Sequence, residues 1–542
     1  MGWDFGPEQP LRSERHFGDR VMDCLVERPA SPHAAFERAV AERPDAEAVV
    51  CGAERLTYAA LDGRAARLAG GLSRRGVGAG DRVALLLGNR VEFVVALLAT
   101  LRLGAVTVPI GTRLQAQEIA YIVAHSGARA IVHESALAAR LPSAAEAPAL
   151  VARISAGGPA DGSERHEAVE DGAPVAEARS GAEESVAAIL YTSGTTGRPK
   201  GAMLTQLNLV HSMFVYRASM RVGPGDRTLL AAPASHVTGL AANVLLAWAA
   251  QCTLVVLPEF KIRAFLELAA RERVTHTVMV PAMYALCLLQ PDFAAFDLSA
   301  WHAGGFGGAP MAESTIAGLA RALPGLRLFN VYGSTETSGP VTMLPPIDAA
   351  SRPESVGQAV PGAEIRVMDE AGREVAPGES GELWIRGPMV VPGYWDDPAA
   401  TAKGFVAGHW LSGDIGSKDA AGYVRVFDRA KDMLNRGGFK IYSVEVENVL
   451  LGHPAVVESA IVGRPDPVLT ERVHAYVCLR EGAEAEAEHL RRYCAERLAD
   501  YKVPETFTLG TAPLPRNANG KLLKRDMRQR LIDETQRQEV LA

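Results

Sequence analysis

Short apolar segments rich in Val and Leu alternate with longer segments of helical composition, and this alternation constrains the fold more than any other feature. The strand-like segments are residues 83–87, 130–133, 187–191, 228–232, 253–257, 277–280 and 326–331. The helix-like segments between them include residues 58–74, 91–103, 207–219 and 262–272. A strand followed by a helix, repeated many times, predicts an α/β fold with largely parallel sheets.

The length of 542 residues predicts two or three domains. From about residue 362 the pattern changes to short alternating strands and turns, which predicts a small β-rich subdomain at about residues 355–428. A compact α+β pattern follows, so we expect one boundary near residue 428, with a large unit over residues 1–428 and a smaller one over residues 429–542. Residues 143–184 are poor in large apolar groups and predict an irregular surface excursion.

Composition excludes several classes of protein. The net charge of −7 gives no general attraction to nucleic acid or to anionic membranes. Six cysteines without a CxxC pair predict neither a disulfide framework nor a zinc site and suit a reducing cytoplasm. The N-terminus lacks the apolar core of a secretory signal. The most apolar stretch, residues 91–110, contains Glu92, Arg102 and Gly104, which favours a buried helix and strand over a membrane span. We therefore expect a cytoplasmic protein.

One loop directly after a predicted strand has the composition of a phosphate site. Its glycines allow close approach of the backbone to a ligand, its hydroxyl groups and N–H groups suit an anion, and its lysine adds positive charge. It does not match the GxxxxGK[ST] phosphate loop, so a P-loop kinase is not expected. By itself the pattern equally allows a flexible turn. The loop consists of Thr192, Ser193, Gly194, Thr195, Thr196, Gly197, Arg198, Pro199 and Lys200.

This loop resembles the signature loop of the acyl-adenylate-forming superfamily, and further family motifs follow in order along nearly the whole chain. The chain is most similar to acyl- and aryl-CoA synthetases such as fatty-acyl-CoA and 4-coumarate–CoA ligases. The resemblance implies an N-terminal AMP-binding domain over residues 1–428 and a mobile C-terminal domain over residues 429–542. It also implies that the loop, including Lys200, clamps the β- and γ-phosphates of ATP.

The segment of residues 329–337 resembles the YGxTE motif of this family. By that resemblance Tyr332, with Gly333 beside it, stacks on adenine, Thr335 contacts the α-phosphate and Glu336 holds Mg²⁺. A hard oxygen ligand suits a magnesium ion that bridges ATP phosphates. A second segment, which ends in Gly308, Ala309 and Pro310, is similar to the family's GGAP segment and would flank the adenine.

Three charged residues further along match nucleotide-binding positions of the family. Asp414 lies in a segment similar to the [ST]-G-D motif, whose carboxylate accepts hydrogen bonds from both ribose hydroxyls. Only one residue separates Trp410 from Ser412, where relatives often have two. Arg429 would also contact the ribose, and Lys431 occupies the pivot between the two domains. Lys440 would contact the AMP phosphate.

Two loops near the C-terminus match the two half-reactions of the family. Lys521 lies in a segment similar to P-[RK]-x-x-x-G-K, and the resemblance makes it the catalytic lysine that bridges the carboxylate and the α-phosphate. Gly437, Gly438 and Phe439 resemble the loop along which the pantetheine arm of coenzyme A passes. Rotation about Lys431 would exchange the two loops at the active site.

The acyl pocket is expected at His236, Val237, Phe306, Gly307, Ser338 and Gly339. His236 stands where amino-acid-activating relatives have Asp, which argues against an amino acid substrate, and the other residues favour a fatty or aryl acid. The resemblance implies a ligase that forms acyl-AMP and pyrophosphate from ATP with Mg²⁺, and then transfers the acyl group to CoA. A carrier-protein ligase, luciferase-type oxygenation and a non-catalytic nucleotide-binding protein are the alternatives, and a homodimer is left open.

Overall fold

The computed structural model describes residues 10–179, 181–192, 198–349, 351–483, 485–516 and 522–541. The strands in these ranges are β1 (Leu11–His16), β2 (Arg20–Leu25), β3 (Glu47–Cys51), β4 (Glu54–Thr57), β5 (Arg82–Leu86), β6 (Val106–Pro109), β7 (Ala128–Glu134), β8 (Ala152–Ala156), β9 (Glu164–Arg165), β10 (Val186–Thr192), β11 (Lys200–Thr205), β12 (Arg227–Leu230), β13 (Thr253–Val256), β14 (His276–Met279), β15 (Ala303–Gly307), β16 (Arg327–Ser334), β17 (Gly339–Leu344), β18 (Gly357–Ala359), β19 (Glu364–Met368), β20 (Ser380–Arg386), β21 (Phe405–Val406), β22 (His409–Lys418), β23 (Tyr423–Arg429), β24 (Leu434–Arg436), β25 (Phe439–Ile441), β26 (Val456–Asp466), β27 (Thr470–Leu479) and β28 (Thr506–Gly510).

The α-helices are α1 (Pro32–Glu42), α2 (Tyr58–Arg74), α3 (Val91–Arg102), α4 (Ala116–Ser126), α5 (His166–Glu170), α6 (Gln206–Met220), α7 (Val237–Gly239), α8 (Leu246–Ala250), α9 (Ile262–Arg271), α10 (Pro281–Leu288), α11 (Glu313–Ala322), α12 (Pro346–Ala349), α13 (Pro398–Gly404), α14 (Ser443–Leu451), α15 (Ala487–Ala495) and α16 (Lys524–Leu541). A π-helical segment, Leu240–Leu245, joins α7 to α8, and short 3₁₀ turns occur at Ser135–Arg140, Phe293–Ala295, Thr335–Thr337 and Asp500–Lys502.

A seven-stranded sheet carries the predicted phosphate loop at one edge. Its strand order is β11-β10-β6-β5-β7-β8-β9, and β10 pairs with β6 in parallel and with β11 in antiparallel orientation. The apolar stretch at residues 91–110 forms α3 and β6, as predicted. Arg102 at the end of α3 is 3% exposed and is paired with Asp62 and with the carbonyls of Val175 and Ala176. Among the described residues, no helix has the length and apolar composition needed to cross a membrane.

The prediction of an irregular excursion at residues 143–184 is wrong for its middle part. β8 pairs with β7 and β9 pairs with β8, both in parallel, and α5 follows and contributes buried residues to the core. Ile154 and Val169 are fully buried. A free sheet edge accepts a short strand through backbone hydrogen bonds, so few large apolar side chains are needed.

The largest sheet has a parallel centre and an antiparallel flank. Its order is β19-β20-β22-β23-β18-β17-β16-β15-β14-β12-β13-β3-β4, with β21 attached to β22. Successive residues of the central strands pack on opposite faces, as Leu229 and Leu230 of β12 show by belonging to two different core clusters. The strands of the predicted β-rich part are present, and β18 joins them to the parallel centre.

Residues from Leu434 onward form a further sheet, β25-β24-β27-β26 with β28 on β27, and α14 to α16 accompany it. This sheet has its own apolar cluster around Ile441, Val446 and Val473, each fully buried. The α/β fold with parallel sheets and an α+β C-terminal part is therefore confirmed.

Three buried histidines predict a loss of stability in acid. Burial lowers the pKa of His211 to about 4, of His276 to about 3 and of His474 to about 4. Below about pH 6.5 the unfolded chain binds protons at these rings that the folded chain does not bind, so the free energy of unfolding falls as pH falls through that window. We expect about 2 kcal/mol of loss per ring between pH 7.5 and pH 5.

The test compares urea unfolding of the wild type, His276→Gln and His489→Gln at pH 7.5 and pH 5. His276→Gln should show a smaller pH dependence, whatever its stability at pH 7.5. The exposed His489 is the control, and its replacement should reduce the pH dependence less than His276→Gln does. An unchanged pH dependence in His276→Gln would contradict the assignment.

Candidate active site

The site lies where the parallel strands β15 and β16 end. Their registered pairs include Phe306 with Asn330 and Gly307 with Val331, so the turns after both strands meet at one edge of the sheet. Gly333 has no room for a side chain, because a Cβ there would lie 1.9 Å from the carbonyl oxygen of Gly339. The strands β16 and β17 can therefore approach this closely only with glycine at this position.

The Glu336 carboxylate lies at the centre of this edge and is 8% exposed. Its Oε1 accepts hydrogen bonds from the hydroxyls of Tyr394 at 3.1 Å and Thr192 at 3.5 Å. Its Oε2 accepts one from the Ser334 hydroxyl at 2.7 Å. A carboxylate surrounded by hydroxyl oxygens is a donor set that fits a hard cation such as Mg²⁺.

The two ends of the predicted phosphate loop are held together beside Glu336. Thr192 and Lys200 are registered partners in the β10–β11 ladder. The Lys200 ammonium lies 5.1 Å from the centre of the Tyr394 ring, within the range of a cation–π contact. Five residues of the loop lie outside the described residues: Ser193, Gly194, Thr195, Thr196 and Gly197.

A second set of contacts joins Tyr332, Asp414 and Arg429. Asp414 Oδ2 accepts a hydrogen bond of 2.6 Å from the Tyr332 hydroxyl, and Asp414 Oδ1 lies 2.7 Å from Arg429 Nε. Asp414 and Arg429 are registered partners on β22 and β23. Burial, together with the Asp414 charge, raises the pKa of Tyr332 well above its usual value. Burial lowers and the Asp414 carboxylate raises the pKa of Arg429, and the net shift is upward.

The turn predicted to flank adenine lies next to these groups. Gly308 has a φ of 78° and follows β15 directly. A Cβ on Gly307 would lie 2.2 Å from the Val331 carbonyl oxygen, so β15 and β16 approach closely at this point. Ala309 and Pro310 are exposed.

The residues predicted for the acyl pocket fall in two groups. Ser338 has a φ of 53°, both Ser338 and Gly339 are buried, and Gly339 lies against Ser212 and Tyr216 of α6. Val237 packs against the apolar cluster that contains Tyr216. His236 precedes α7 in extended conformation. Phe306 is 5% exposed and packs in the cluster on the opposite face of the sheet.

The residues predicted for the second half-reaction lie in the C-terminal part, around β24 and β25. Gly437 and Gly438 form the turn between β24 and β25 with φ values of 60° and 94°. Phe439 stacks on Tyr501 at 4.6 Å between ring centres, and Lys440 Nζ lies 3.1 Å from the Glu370 carboxylate. Lys431 is exposed in the turn after β23, and Lys521 lies outside the described residues.

A buried polar cluster connects β23 to the C-terminal part. The Asp428 carboxylate accepts hydrogen bonds from the backbone N–H groups of Arg429 and of Ser443, the first residue of α14. Lys524 Nζ lies 2.7 Å from the Glu447 carboxylate and donates to the Ser443 hydroxyl at 2.6 Å. Burial raises the pKa of both Asp428 and Glu447.

Sequence analysis missed Tyr394 and Asn89. Asn89 is 6% exposed; its amide donates to the carbonyl of Ala232 at 3.1 Å and its oxygen accepts from the N–H of Ala234 at 2.8 Å, which holds the segment before His236. The only sequence signal for Tyr394 is its place in the run Pro392-Gly393-Tyr394-Trp395. Neither residue belongs to a sequence motif that indicates its role.

A parallel α/β sheet with polar side chains gathered at its strand ends is typical of the class of enzymes that bind nucleotides. A family model described as AMP-binding enzyme matches residues 36–395, and a model described as AMP-binding enzyme C-terminal domain matches residues 445–521. The chain belongs to the AMP-binding enzyme family, and it is an AMP-forming acid–thiol ligase. ATP, Mg²⁺ and CoA are the co-substrates and metal of such enzymes.

Individual relatives agree over nearly their whole length. The feruloyl-CoA synthase of Amycolatopsis sp is 38% identical over 491 residues, which cover 90% of this chain and 96% of that protein. The indoleacetate–CoA ligase of Aromatoleum aromaticum is 35% identical, with 89% of this chain and 94% of that protein covered. A crystal structure of an anthranilate CoA ligase in complex with anthranoyl-AMP matches with a TM-score of 0.87 and 25% identity, over 94% of this chain and 98% of that chain.

Proposed function

We propose that the protein is an ATP-dependent ligase that converts an aryl or arylalkanoic acid to its CoA thioester through an acyl-AMP. The observation that supports nucleotide binding is the contact set of Tyr332, Asp414 and Arg429. Asp414 accepts a hydrogen bond of 2.6 Å from the Tyr332 hydroxyl at one oxygen and forms an ion pair of 2.7 Å with Arg429 at the other. The choice of an aromatic acid rests on the three relatives above, whose names specify feruloyl, indoleacetate and anthranilate groups.

The residues at the strand ends supply most of what acyl adenylation requires. The Asp414 carboxylate accepts hydrogen bonds from the ribose hydroxyls, and Arg429 keeps that carboxylate oriented. Tyr332 presents its ring to the adenine, which Gly308, Ala309 and Pro310 flank on the other side. When bound, Mg²⁺ supplies charge neutralisation at the ATP phosphates, and Glu336 is the residue that would hold it. These groups position two negatively charged reactants, which is the larger part of catalysis at phosphorus.

Thr335, Lys200 and Lys521 complete the adenylation site in this proposal. Thr335 contacts the α-phosphate, Lys200 clamps the departing pyrophosphate, and Lys521 bridges the substrate carboxylate and the α-phosphate. The acid lies between His236, Val237 and the Ser338–Gly339 turn. The C-terminal domain beyond Lys431 then rotates about that residue to bring Gly437, Gly438, Phe439 and Lys440 to the acyl-AMP for attack by the CoA thiol. The separate sheet and apolar cluster of the C-terminal part support such a movement.

The test is a panel of acids assayed for pyrophosphate release and for acyl-CoA by mass spectrometry, with and without CoA. The panel contains ferulate, indoleacetate, phenylacetate, anthranilate, octanoate and palmitate. We expect acyl-CoA from at least one aromatic acid, with a higher kcat/KM than for either fatty acid. Preference for palmitate would contradict the substrate class. Pyrophosphate release that CoA neither accelerates nor converts to a thioester would favour a carrier-protein acceptor.

We also propose a cytoplasmic location. All six cysteines lie in the described ranges and are free thiols. Burial raises the pKa of Cys24, Cys252 and Cys287 to about 12, so these three thiols stay protonated and resist disulfide formation at neutral pH.

Light scattering after size-exclusion chromatography will decide between a monomer and the homodimer that the sequence leaves open.

A further inference from the structure

The N-terminal hairpin, β1 and β2, is attached to the active-site side of the large unit. Met22 and Cys24 pack with Leu207 of α6 in a small apolar cluster. Arg28, which follows the hairpin and whose side chain is 7% exposed, pairs with Glu14 at 2.6 Å and with Glu183 at 2.7 Å. Glu183 lies just before β10, the strand that leads into the phosphate loop. A two-stranded hairpin is not stable alone in water, so these contacts hold it in one place.

Arg20, the first residue of β2, extends from the hairpin to the chain near Glu336. Its Nη1 donates to the carbonyl of Val391 at 3.1 Å and its Nη2 to the carbonyl of Pro392 at 2.9 Å. The centre of the guanidinium lies 5.6 Å from the ring centres of both Phe17 and Phe405. The planar fork of arginine suits two successive carbonyls, which a lysine ammonium cannot match in the same geometry.

The segment that Arg20 holds connects Glu336 to the strand after the phosphate loop. The N–H of Val391 donates to the backbone carbonyl of Glu336 at 3.0 Å, and the Tyr394 hydroxyl donates to the Glu336 carboxylate at 3.1 Å. On its other side, Trp395 N–H donates to the Gly201 carbonyl at 2.7 Å. The Tyr394 ring also faces the Lys200 ammonium. Residues 391–395 therefore touch both the predicted metal ligand and the base of the phosphate loop.

We propose that Arg20 is a positioning residue for the adenylation half-reaction, acting through residues 391–395 on Glu336 and Lys200. This role rests on the proposed function. Without the two hydrogen bonds from Arg20, the carbonyls of Val391 and Pro392 lose one of the contacts that fix them. Tyr394 N–H keeps its bond to the Thr401 hydroxyl, so the expected effect is a looser fit of the Tyr394 hydroxyl to the Glu336 carboxylate rather than release of the segment. The effect falls on binding of ATP with Mg²⁺, because Glu336 and Lys200 are the groups assigned to the metal and the phosphates. It does not fall on thioester formation from acyl-AMP, which involves neither pyrophosphate nor the β- and γ-phosphates.

The test compares Arg20→Ala, Arg20→Lys and Arg15→Ala. Arg15 is exposed in the same hairpin and is the matched control. We measure the Kd for ATP by calorimetry with and without Mg²⁺, the Mg²⁺ concentration for half-maximal pyrophosphate release, and the rate of thioester formation from supplied acyl-AMP and CoA. Arg20→Ala should raise the Kd for ATP in the presence of Mg²⁺ roughly tenfold, and the Mg²⁺ concentration for half-maximal pyrophosphate release by a similar factor. Losses of this size are expected when hydrogen bonds from a charged group are removed. The rate of thioester formation in Arg20→Ala should match that of the wild type. Arg15→Ala should match the wild type in all three quantities. Arg20→Lys should give values between those of the wild type and Arg20→Ala.

Equal losses in both half-reactions, with an unchanged Mg²⁺ requirement, would mean that Arg20 only stabilises the fold and would overturn the proposal. If Arg20→Ala does not fold, the same comparison in Arg20→Lys decides. The double variant with Tyr394→Phe should lose less than the sum of the two single losses, because both changes act through one segment. Additive losses would also count against the proposal. A wild type that adenylates no acid would refute the proposed function instead, while its calorimetric binding of ATP would still test Arg20.

Discussion

Replacing Lys521 by alanine is expected to lower acid-dependent ATP–pyrophosphate exchange by roughly 100- to 1,000-fold, the range found when one preorganised group at a developing charge is removed. The substrate carboxylate and the α-phosphate repel each other, and a lysine between them offsets that repulsion as they approach. Thioester formation from supplied acyl-AMP should be nearly unchanged, because no carboxylate attacks phosphorus in that step. Both half-reactions are measured on the same preparation.

The neighbouring helix provides the control for this substitution. Arg530→Ala removes one positive charge from an exposed position on α16 and should leave both rates unchanged. The base of the Lys521 loop is anchored independently of that lysine: Leu523 N–H donates to the Pro515 carbonyl at 2.9 Å, and Lys524 pairs with Glu447 at 2.7 Å. The variant should therefore fold. If the rates of both half-reactions fell equally, the assignment of Lys521 as the catalytic lysine of adenylation would be wrong.

Replacing Asp414 by asparagine is expected to raise the KM for ATP about 100-fold. Asp414 is 5% exposed, and each of its oxygens is bonded to one buried or half-buried partner, Tyr332 or Arg429. The amide cannot accept at both positions, and it leaves Arg429 without a neutralising charge. Hydrogen bonds to charged groups contribute about 1.5–3 kcal/mol, so the loss of one such bond together with a ribose contact accounts for this factor.

A second nucleotide makes this prediction specific for the ribose. The wild type should prefer ATP over 2′-deoxy-ATP, and the preference should shrink in Asp414→Asn because the acceptor for the diol is weakened. Asp419→Asn is the matched control, since Asp419 also pairs with an arginine, Arg352 at 2.7 Å, but with a side chain that is 41% exposed. An undiminished preference in Asp414→Asn would assign the ribose to another residue.

Local patterns in the sequence predicted most of the secondary structure. The helices expected at residues 58–74, 91–103, 207–219 and 262–272 are present as α2, α3, α6 and α9 with shifts of one residue at some ends. Each is long enough for an apolar stripe or a continuous apolar run to be recognised against the strand period. The segment at residues 143–184 was misjudged because β8 and β9 depend on the edge of β7, and a partner strand is not a local property.

The N-terminal region shows the same limit for function. Arg20 lies more than 300 residues away in the chain from Val391 and Pro392, and no motif marks either end of these hydrogen bonds. The sequence predicted roles for Glu336 and Tyr332 because each lies within a run of residues that resembles a family motif. It could not identify Tyr394, whose role exists only because β16 and residues 391–395 pack together.

The sequence by itself determined the α/β alternation, the loop rich in Gly and Thr at residues 192–200 and the order of the family motifs, since these depend on composition and spacing over a few residues. The tertiary structure alone decided that Thr192, Ser334 and Tyr394 share the Glu336 carboxylate, and that Tyr332 and Arg429 divide the two oxygens of Asp414. Such polar contacts require the two atoms to lie no more than about 3.5 Å apart, and distances this short between remote residues follow from strand register and packing.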